Sequence, residues 1–399
     1  MEAMVRRWIR LVVVFIAAGL FQVETAHAQE SCVGKFSEAE MTAERRQIWN
    51  LLRERQFDKL DAELLDRQQR YEHGTYTEEH LVNAFSTFDS SSNSIRPFLE
   101  EWLRTHKDSY AAHVAMGSHQ VAVAMELRGH KIGGETSDDQ FKEMIAWMRK
   151  AESTLTESFS LTAKPIMTYV LALQVERYMG TRDSIDELYQ RALEVDPNSA
   201  YARRYYLWGI DPRWLGEPDD LAKEIERVRA SGLPDDTKHF VIYHGFILLA
   251  GANTLFKKPD QVERALLAAS RECVFTRPWE DLANLYDEQQ QWKQALGALD
   301  KYLALKPDEA WAIRRQAYAH QKLGEWSVAI PLYKTAAEKG DDYAQNAYGW
   351  WLYRGEHTPR DLEAAIKWFE LAAKQGNETA RVNLAEALRA RTAEKAGAS

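Results

Sequence analysis

The chain is short of most features that announce chemistry. It has two cysteines in 399 residues, too few for a multi-disulfide scaffold or a cysteine-rich zinc module. No HExxH, G-x-S-x-G, Gly-Lys-Ser/Thr phosphate loop or EF-hand pattern occurs. Their absence removes the local signatures of zinc hydrolysis, serine hydrolase chemistry, nucleotide binding and calcium binding. The histidines do not compensate. His113 and His119 are six apart and His239 and His244 five apart, so neither pair shares a helix face as a step of three or four would. Prolines number 11 and no Gly/Ser-rich linker is present, which argues against disorder or a flexible tether. Basic residues are also in deficit: 51 Lys and Arg stand against 60 Asp and Glu, with no basic stripe. Phosphate backbones require clustered cations, so nucleic acid is excluded as a partner. Carboxylate pairs are everywhere in so acidic a chain and single out no catalytic residue. No residue is assigned to catalysis, to a cofactor or to a metal.

What is present begins with an export signal. Arg6, Arg7 and Arg10 form a cationic start, "LVVVFIAAGLF" is an apolar run, and Ala26-His27-Ala28 supplies small residues at a cleavage site. This is the tripartite pattern of a secretory signal peptide over residues 1–28. The run falls far short of the ~20 residues needed to span a bilayer. The expected product is secreted or periplasmic, starts near Gln29, and has no membrane span after cleavage. It would carry 48 basic against 58 acidic residues. In an oxidising compartment Cys32 and Cys273 invite a disulfide, which in the chain-entropy model would contribute about 5 kcal/mol. Two unpaired cysteines at unrelated sites is the other reading.

Hydrophobic residues make up 45% of the chain, with 13 tryptophans and 17 tyrosines, enough for substantial burial. Their spacing is helical almost throughout. Ser37 and Glu40 have the separation of a capping box, with Ile48, Leu51 and Leu52 following on one face. Ser137 and Gln140 repeat the device ahead of Phe141, Ile145 and Met148. No run alternates apolar and polar residues with β-branched enrichment, so no strand is expected. The fold class is all-α, with about 18 helices.

Toward the C-terminus the pattern becomes periodic. Ala329, Tyr333, Ala336, Ala337, Gly340 and Ala344 match Ala365, Phe369, Ala372, Ala373, Gly376 and Ala380, every offset being 36 residues. One step upstream, Ala283, Trp292, Ala295 and Leu299 match Ala317, Trp326, Ala329 and Tyr333 at an offset of 34. Such a period means helical hairpins stacked into an α-solenoid. Alanines allow close approach within a hairpin, large aromatics fill the gap between hairpins, and the glycines suit a left-handed helix end. Trp279, Ala283, Tyr286, Ala295 and Pro307 resemble a tetratricopeptide repeat, with Tyr302 in place of its usual late small residue. Gly349, Gly355, Ala365, Trp368, Ala372, Ala373, Gly376 and Ala380 resemble its Sel-like variant. The resemblance spans residues 275–391 and implies a tetratricopeptide-like superhelix that binds proteins and has no catalytic residues of its own.

Upstream, "FLEEWLRTHKDSYAAHVAMGSHQVAVAMELRG", "YQRALEVDPNSAYA" and "DPRWLG" occur in order. Arg128-Gly129 and Pro212-Arg213-Trp214 resemble the signatures of a bacterial domain-of-unknown-function family built of tetratricopeptide-like helices, over roughly residues 36–235. Leu215 replaces the first of the family's paired glycines. The expected organisation is therefore a signal peptide (1–28), this domain (29–235), connecting helices (236–274), tetratricopeptide and Sel-like repeats (275–391) and a disordered tail (392–399).

One stretch, "YYLWGIDPRWLGEPDD" (Tyr205 to Asp220), interrupts the helical pattern. It reads as a corner: Gly209 ends a helix, Pro212 biases Asp211 away from helical backbone, and Pro218 opens the next helix with Asp219 and Asp220 at its positive end. A buried Trp214 would anchor such a turn. The other reading makes Arg213 and Trp214 an anion- or ring-binding pair with Arg128 as a second cation. The glycines of "RGHKIGGETS" (Arg128 to Ser137) read as a loop capped by Ser137 rather than a phosphate cradle. For function, the expectation is an exported scaffold whose Tyr- and Trp-rich groove binds a protein or peptide partner in the cell envelope, not an enzyme. The alternative is an enzyme acting on an envelope polymer through a carboxylate pair in that groove.

Overall fold

The computed structural model describes residues 38–129 and 137–397. Among them are nineteen α-helices, one 3-10 turn and no strand. The first ten are α1 Glu38–Arg53, α2 Phe57–Glu72, α3 Glu78–Phe85, α4 Arg96–Thr105, α5 Tyr110–Arg128, α6 Asp138–Ser158, α7 Ile166–Met179, α8 Arg182–Val195, α9 Ala200–Gly209 and α10 Asp220–Arg229. The rest are α11 Asp235–Leu255, α12 Pro259–Glu272, α13 Arg277–Glu288, α14 Trp292–Leu305, α15 Ala310–Lys322, α16 Trp326–Glu338, α17 Asp342–Arg354, α18 Leu362–Lys374 and α19 Glu378–Gly397. The all-α solenoid expected from the spacing is the fold observed.

In the C-terminal half each helix packs on its neighbours in sequence, and the pairs α13–α14, α15–α16 and α17–α18 form hairpins. The period survives in detail. Ala329, Ala336, Ala344, Ala365, Ala372 and Ala380 are all completely buried, where a larger side chain would force the helices apart. Gly340 and Gly376 follow their helices with φ of +97° and +95°, the left-handed conformation that costs glycine nothing. Asp341 and Asn377, again 36 apart, accept the Ala344 and Ala380 backbone N–H at 2.7 and 3.0 Å and cap the following helices. Tyr302 does not loosen its hairpin, because its ring is buried edge-to-face on Trp311, 4.8 Å between centroids.

The N-terminal half is packed differently. One core runs from Ile48 to Ile242, whereas the repeats hold three smaller clusters. Polar ties reach far along the chain. Gln68 donates to the Lys164 carbonyl at 3.0 Å, the Tyr71 hydroxyl donates to Asp196, and the Glu78 carboxylate accepts the Ala200 and Tyr201 N–H at the start of α9. Helices α5, α7, α9 and α11 lie side by side as one layer. The junction falls inside a helix: Val241 and Ile242 of α11 belong to the first core, Tyr243 and Ile247 to the next.

The Ser137–Gln140 capping box forms as expected, with both reciprocal hydrogen bonds. The signal peptide, Cys32, Ser37 and residues 130–136 lie outside the described residues. Cys273 is buried at the end of α12. The last helix continues through Gly397, so residues 392–397 are helical where a disordered tail was expected. No described helix is long and apolar enough to cross a membrane.

Candidate functional site

The corner between α9 and α10 runs from Ile210 to Asp219. Ile210 and Asp211 are its buried anchors, 1% and 0% exposed. Asp211 accepts the Arg213 backbone N–H at 2.9 Å and the Nε and Nη2 donors on one edge of the Arg213 guanidinium at 2.5–3.0 Å. Gly216 passes so close to Ile210 that a Cβ would meet its carbonyl oxygen at 1.7 Å, so no other residue fits. Helix α10 starts at Asp220, two residues after Pro218, and the Asp220 carboxylate accepts the Glu217 N–H at 2.8 Å.

Trp214 is not the buried anchor expected of it. It is 36% exposed, because Asp211 already holds the turn and leaves the indole outside. Its ring meets Tyr178 edge-on at 4.8 Å and stands between two guanidinium groups, Arg128 at 5.4 Å and Arg177 at 5.2 Å. Arg177 also faces Trp208 at 4.9 Å, and Trp208 in turn faces Arg204 at 5.5 Å. The result is a ladder of alternating cations and rings: Arg128, Trp214, Arg177, Trp208, Arg204. Its rungs come from α5, the corner, α7 and α9. Tyr201, Tyr205 and Phe240 flank Arg204 at 5.7–6.0 Å.

Each cation–ring contact contributes about 0.5–1 kcal/mol when exposed and ~2 when desolvated, so the stack holds its own geometry. It has no directly paired counter-charge, although Glu79 and Asp89 lie within electrostatic reach of Tyr201 and Tyr205 beside it. The Nε atoms of Arg128, Arg177 and Arg204 are buried without a partner, and among the described residues none of the three arginines forms an ion pair. Arg177, at the base, is 9% exposed and donates only to the Tyr178 hydroxyl. Burial, with a further push from Arg128, presses its pKa below the ordinary guanidinium value. His244, against Phe240 at 4.6 Å, is pulled down to about 3 by burial and by the charges of Arg204 and Arg277.

Of the residues singled out in sequence, Arg128 and Trp214 come together across 86 positions. Arg213 does not join them, being bound to Asp211 and lying over Gly251 of α11. Arg177, Arg204 and Trp208 went unnoticed. A signal existed for the last two: Tyr201, Arg204, Tyr205 and Trp208 recur at steps of three, four and seven, one face of α9. Arg177 had none, as a lone Arg-Tyr on a helix is unremarkable. The paired histidines do not converge on a metal. His113 bonds the Ser109 carbonyl and Glu157, His119 the Ser90 carbonyl, and His239 Glu272. No group of three or more potential ligands is found among the described residues.

Comparison with known proteins places two segments. Residues 44–192 match a domain of unknown function, DUF4034, and residues 342–377 match the Sel1 repeat. The former includes Arg128 and Arg177 and stops short of Trp208 and Trp214. No curated protein matches the chain. Among solved structures, a Sel1 repeat protein from Oxalobacter formigenes shares 12% identity at a TM-score of 0.38, covering 93% of this chain and 98% of that one. A protective antigen of uropathogenic Escherichia coli with an SLR fold shares 19% identity at 0.31, covering 84% and 81%. Both are too distant to bear on function. The chain thus carries a DUF4034 domain followed by helical repeats that include a Sel1 repeat.

Proposed function

We propose that the protein is an exported, non-enzymatic scaffold that binds a protein or peptide partner in the cell envelope on the wall formed by α5, α7, α9 and α11. The observation that carries this reading is the ladder. Five stacked side chains with part-exposed rings and no directly paired counter-charge are a costly arrangement for a surface with nothing to meet, and Trp, Tyr and Arg are the residues that dominate binding energy at protein interfaces. Structural economy does not require the ladder, since Asp211, Ile210 and Gly216 already make the corner.

Export rests on the n-region, apolar run and Ala26-His27-Ala28 site of the sequence. A bridge between Cys32 and Cys273 belongs to the same proposal. N-terminal sequencing of the protein from an envelope fraction should begin near Gln29, with no titratable thiol. A product retaining Met1 in the cytosol, or two titratable thiols per chain, would refute export or the bridge respectively.

Partner binding is tested by placing a photoreactive residue at Trp214 and, separately, at Val382, which is 68% exposed on α19. Irradiation of intact cells should give a protein-sized adduct at 214 and none at 382. An adduct only at 382, or only a small molecule at 214, would overturn the reading.

A further inference from the structure

We propose that the ladder recognises acid: the partner's docking segment is an extended peptide with carboxylates on alternate residues, which seat against Arg128, Arg177 and Arg204. The inference rests on the scaffold reading above and adds the chemistry of the contact.

Three observations lead to it. The first is charge. Three guanidinium groups share one surface, and no carboxylate among the described residues pairs with any of them. Other arginines among the described residues are paired, among them Arg67 with Glu44, Arg182 with Asp186 and Asp220, Arg314 with Asp341 and Arg315 with Asp287, while buried Arg203 donates to the Pro197 and Ser199 carbonyls. Buried charge is retained at a cost unless it finds a counter-charge, and here the protein does not supply a directly paired one. The second is orientation. The guanidinium carbons lie 4.9–5.5 Å from the Trp208 or Trp214 ring centres and each Nε is buried, which leaves the Nη edges for recognition. Those edges match a carboxylate in a two-pronged contact.

The third is spacing, which selects a peptide over a single small anion. The arginines stand on α5, α7 and α9, consecutive helices of one layer. Packed helix axes lie about 8–10 Å apart, so a single phosphate or carboxylate shared by two neighbouring arginines would not extend to the third. An extended chain advances about 3.3 Å per residue, and side chains on one face recur every second residue, ~6.6 Å. Acidic residues two to four apart therefore reach successive arginines, while Tyr178, Trp208 and Trp214 cover the intervening backbone.

A second surface among the described residues also carries cations outside any ion pair. A cleft of about 570 Å³ between α4, α5 and α6 is lined by Arg104, Lys107 and Lys150 with Trp147. It serves as the internal control.

The test is fluorescence anisotropy on the full mature chain with a labelled peptide of alternating Glu and Ser, its Gln–Ser counterpart, and unlabelled inorganic phosphate and oligothymidylate as competitors. The acidic peptide should bind at least about tenfold more tightly than the Gln version, and more weakly as salt rises. Arg128→Gln and Arg204→Gln should each weaken it about tenfold, with melting curves that confirm folding, while Lys107→Gln and Arg213→Gln leave it unchanged. Equal binding of the two peptides, or loss through Lys107→Gln alone, would overturn the inference. So would displacement by oligothymidylate or phosphate at concentrations below those of the peptide itself. A protein adduct at 214 without acidic-peptide binding would leave the scaffold standing and remove its acid anchor. Failure of both would remove the wall as a docking surface.

Discussion

The two halves of the molecule use the same helices to opposite ends. In the repeats, each hairpin answers to its neighbours about 36 residues away, and the same contact recurs: Asp341 caps as Asn377 caps, and Ala329 packs as Ala365 packs. In the N-terminal half, Tyr71 reaches Asp196, Glu78 reaches α9, and one core joins Ile48 to Ile242. Repetition gives a surface that any neighbour can extend. Long-range closure gives a rigid frame, and the irregular site, the ladder, sits on the half that has one. A set of side chains drawn from α5, α7, α9 and a corner holds its spacing only if those elements cannot slide.

Trp102 is completely buried, stacked on Phe57 at 6.5 Å and tilted against Phe88 at 5.8 Å. Trp102→Ala should cost about 3–5 kcal/mol and unfold residues 48–242 in one transition, as read by urea denaturation with hydrogen exchange. A loss confined to α2 and α4 would mean the first half is also a string of local units.

The next test is pH. His244 has its folded pKa depressed to about 3, below the unfolded value of about 6.5. The unfolded chain therefore takes up a proton that the fold refuses. Stability is full above pH ~6.5 and is lost as pH falls toward 3, by about 2–4 kcal/mol from this residue after allowance for solvent screening. His244→Phe should flatten that slope between pH 6.5 and 4. An unaltered slope would show that burial and the neighbouring arginines do not depress this imidazole.

Ala365→Leu should cost about 1–3 kcal/mol by overpacking, with faster exchange in α17 to α19 and none in the first core. A global loss would contradict nearest-neighbour behaviour. Smallest of all, Asp341→Ala should cost about 1 kcal/mol by removing a cap, read as a shift in the urea midpoint and faster exchange at the start of α17.

How much of this was legible in sequence follows from the same division. Periodic alanines and glycines in positions 329–380 report their own packing, because each contact is short-range and repeated. The helices of the first half were legible one by one through caps such as Ser137 with Gln140, but their partners were not, since nothing in the sequence near Tyr71 points to Asp196. The site fell between. Arg128 and Trp214 were visible as unusual residues, and the stripe Tyr201, Arg204, Tyr205, Trp208 was readable as one helix face. What brought them together with Arg177 was the layering of α5, α7 and α9, a tertiary fact. Trp214 was misjudged for a physical reason: a tryptophan in a tight turn is usually its anchor, and here the short side chain of Asp211 does that work and turns the indole outward.

The central claim is that the ladder exists to grip a partner and not to hold the corner. Thermal melting of Trp214→Ala, paired with anisotropy titration of the alternating acidic peptide, tests it most directly. The account predicts a Tm within about 2 °C of the parent and binding weakened at least about tenfold; a large fall in Tm with peptide affinity intact would contradict it.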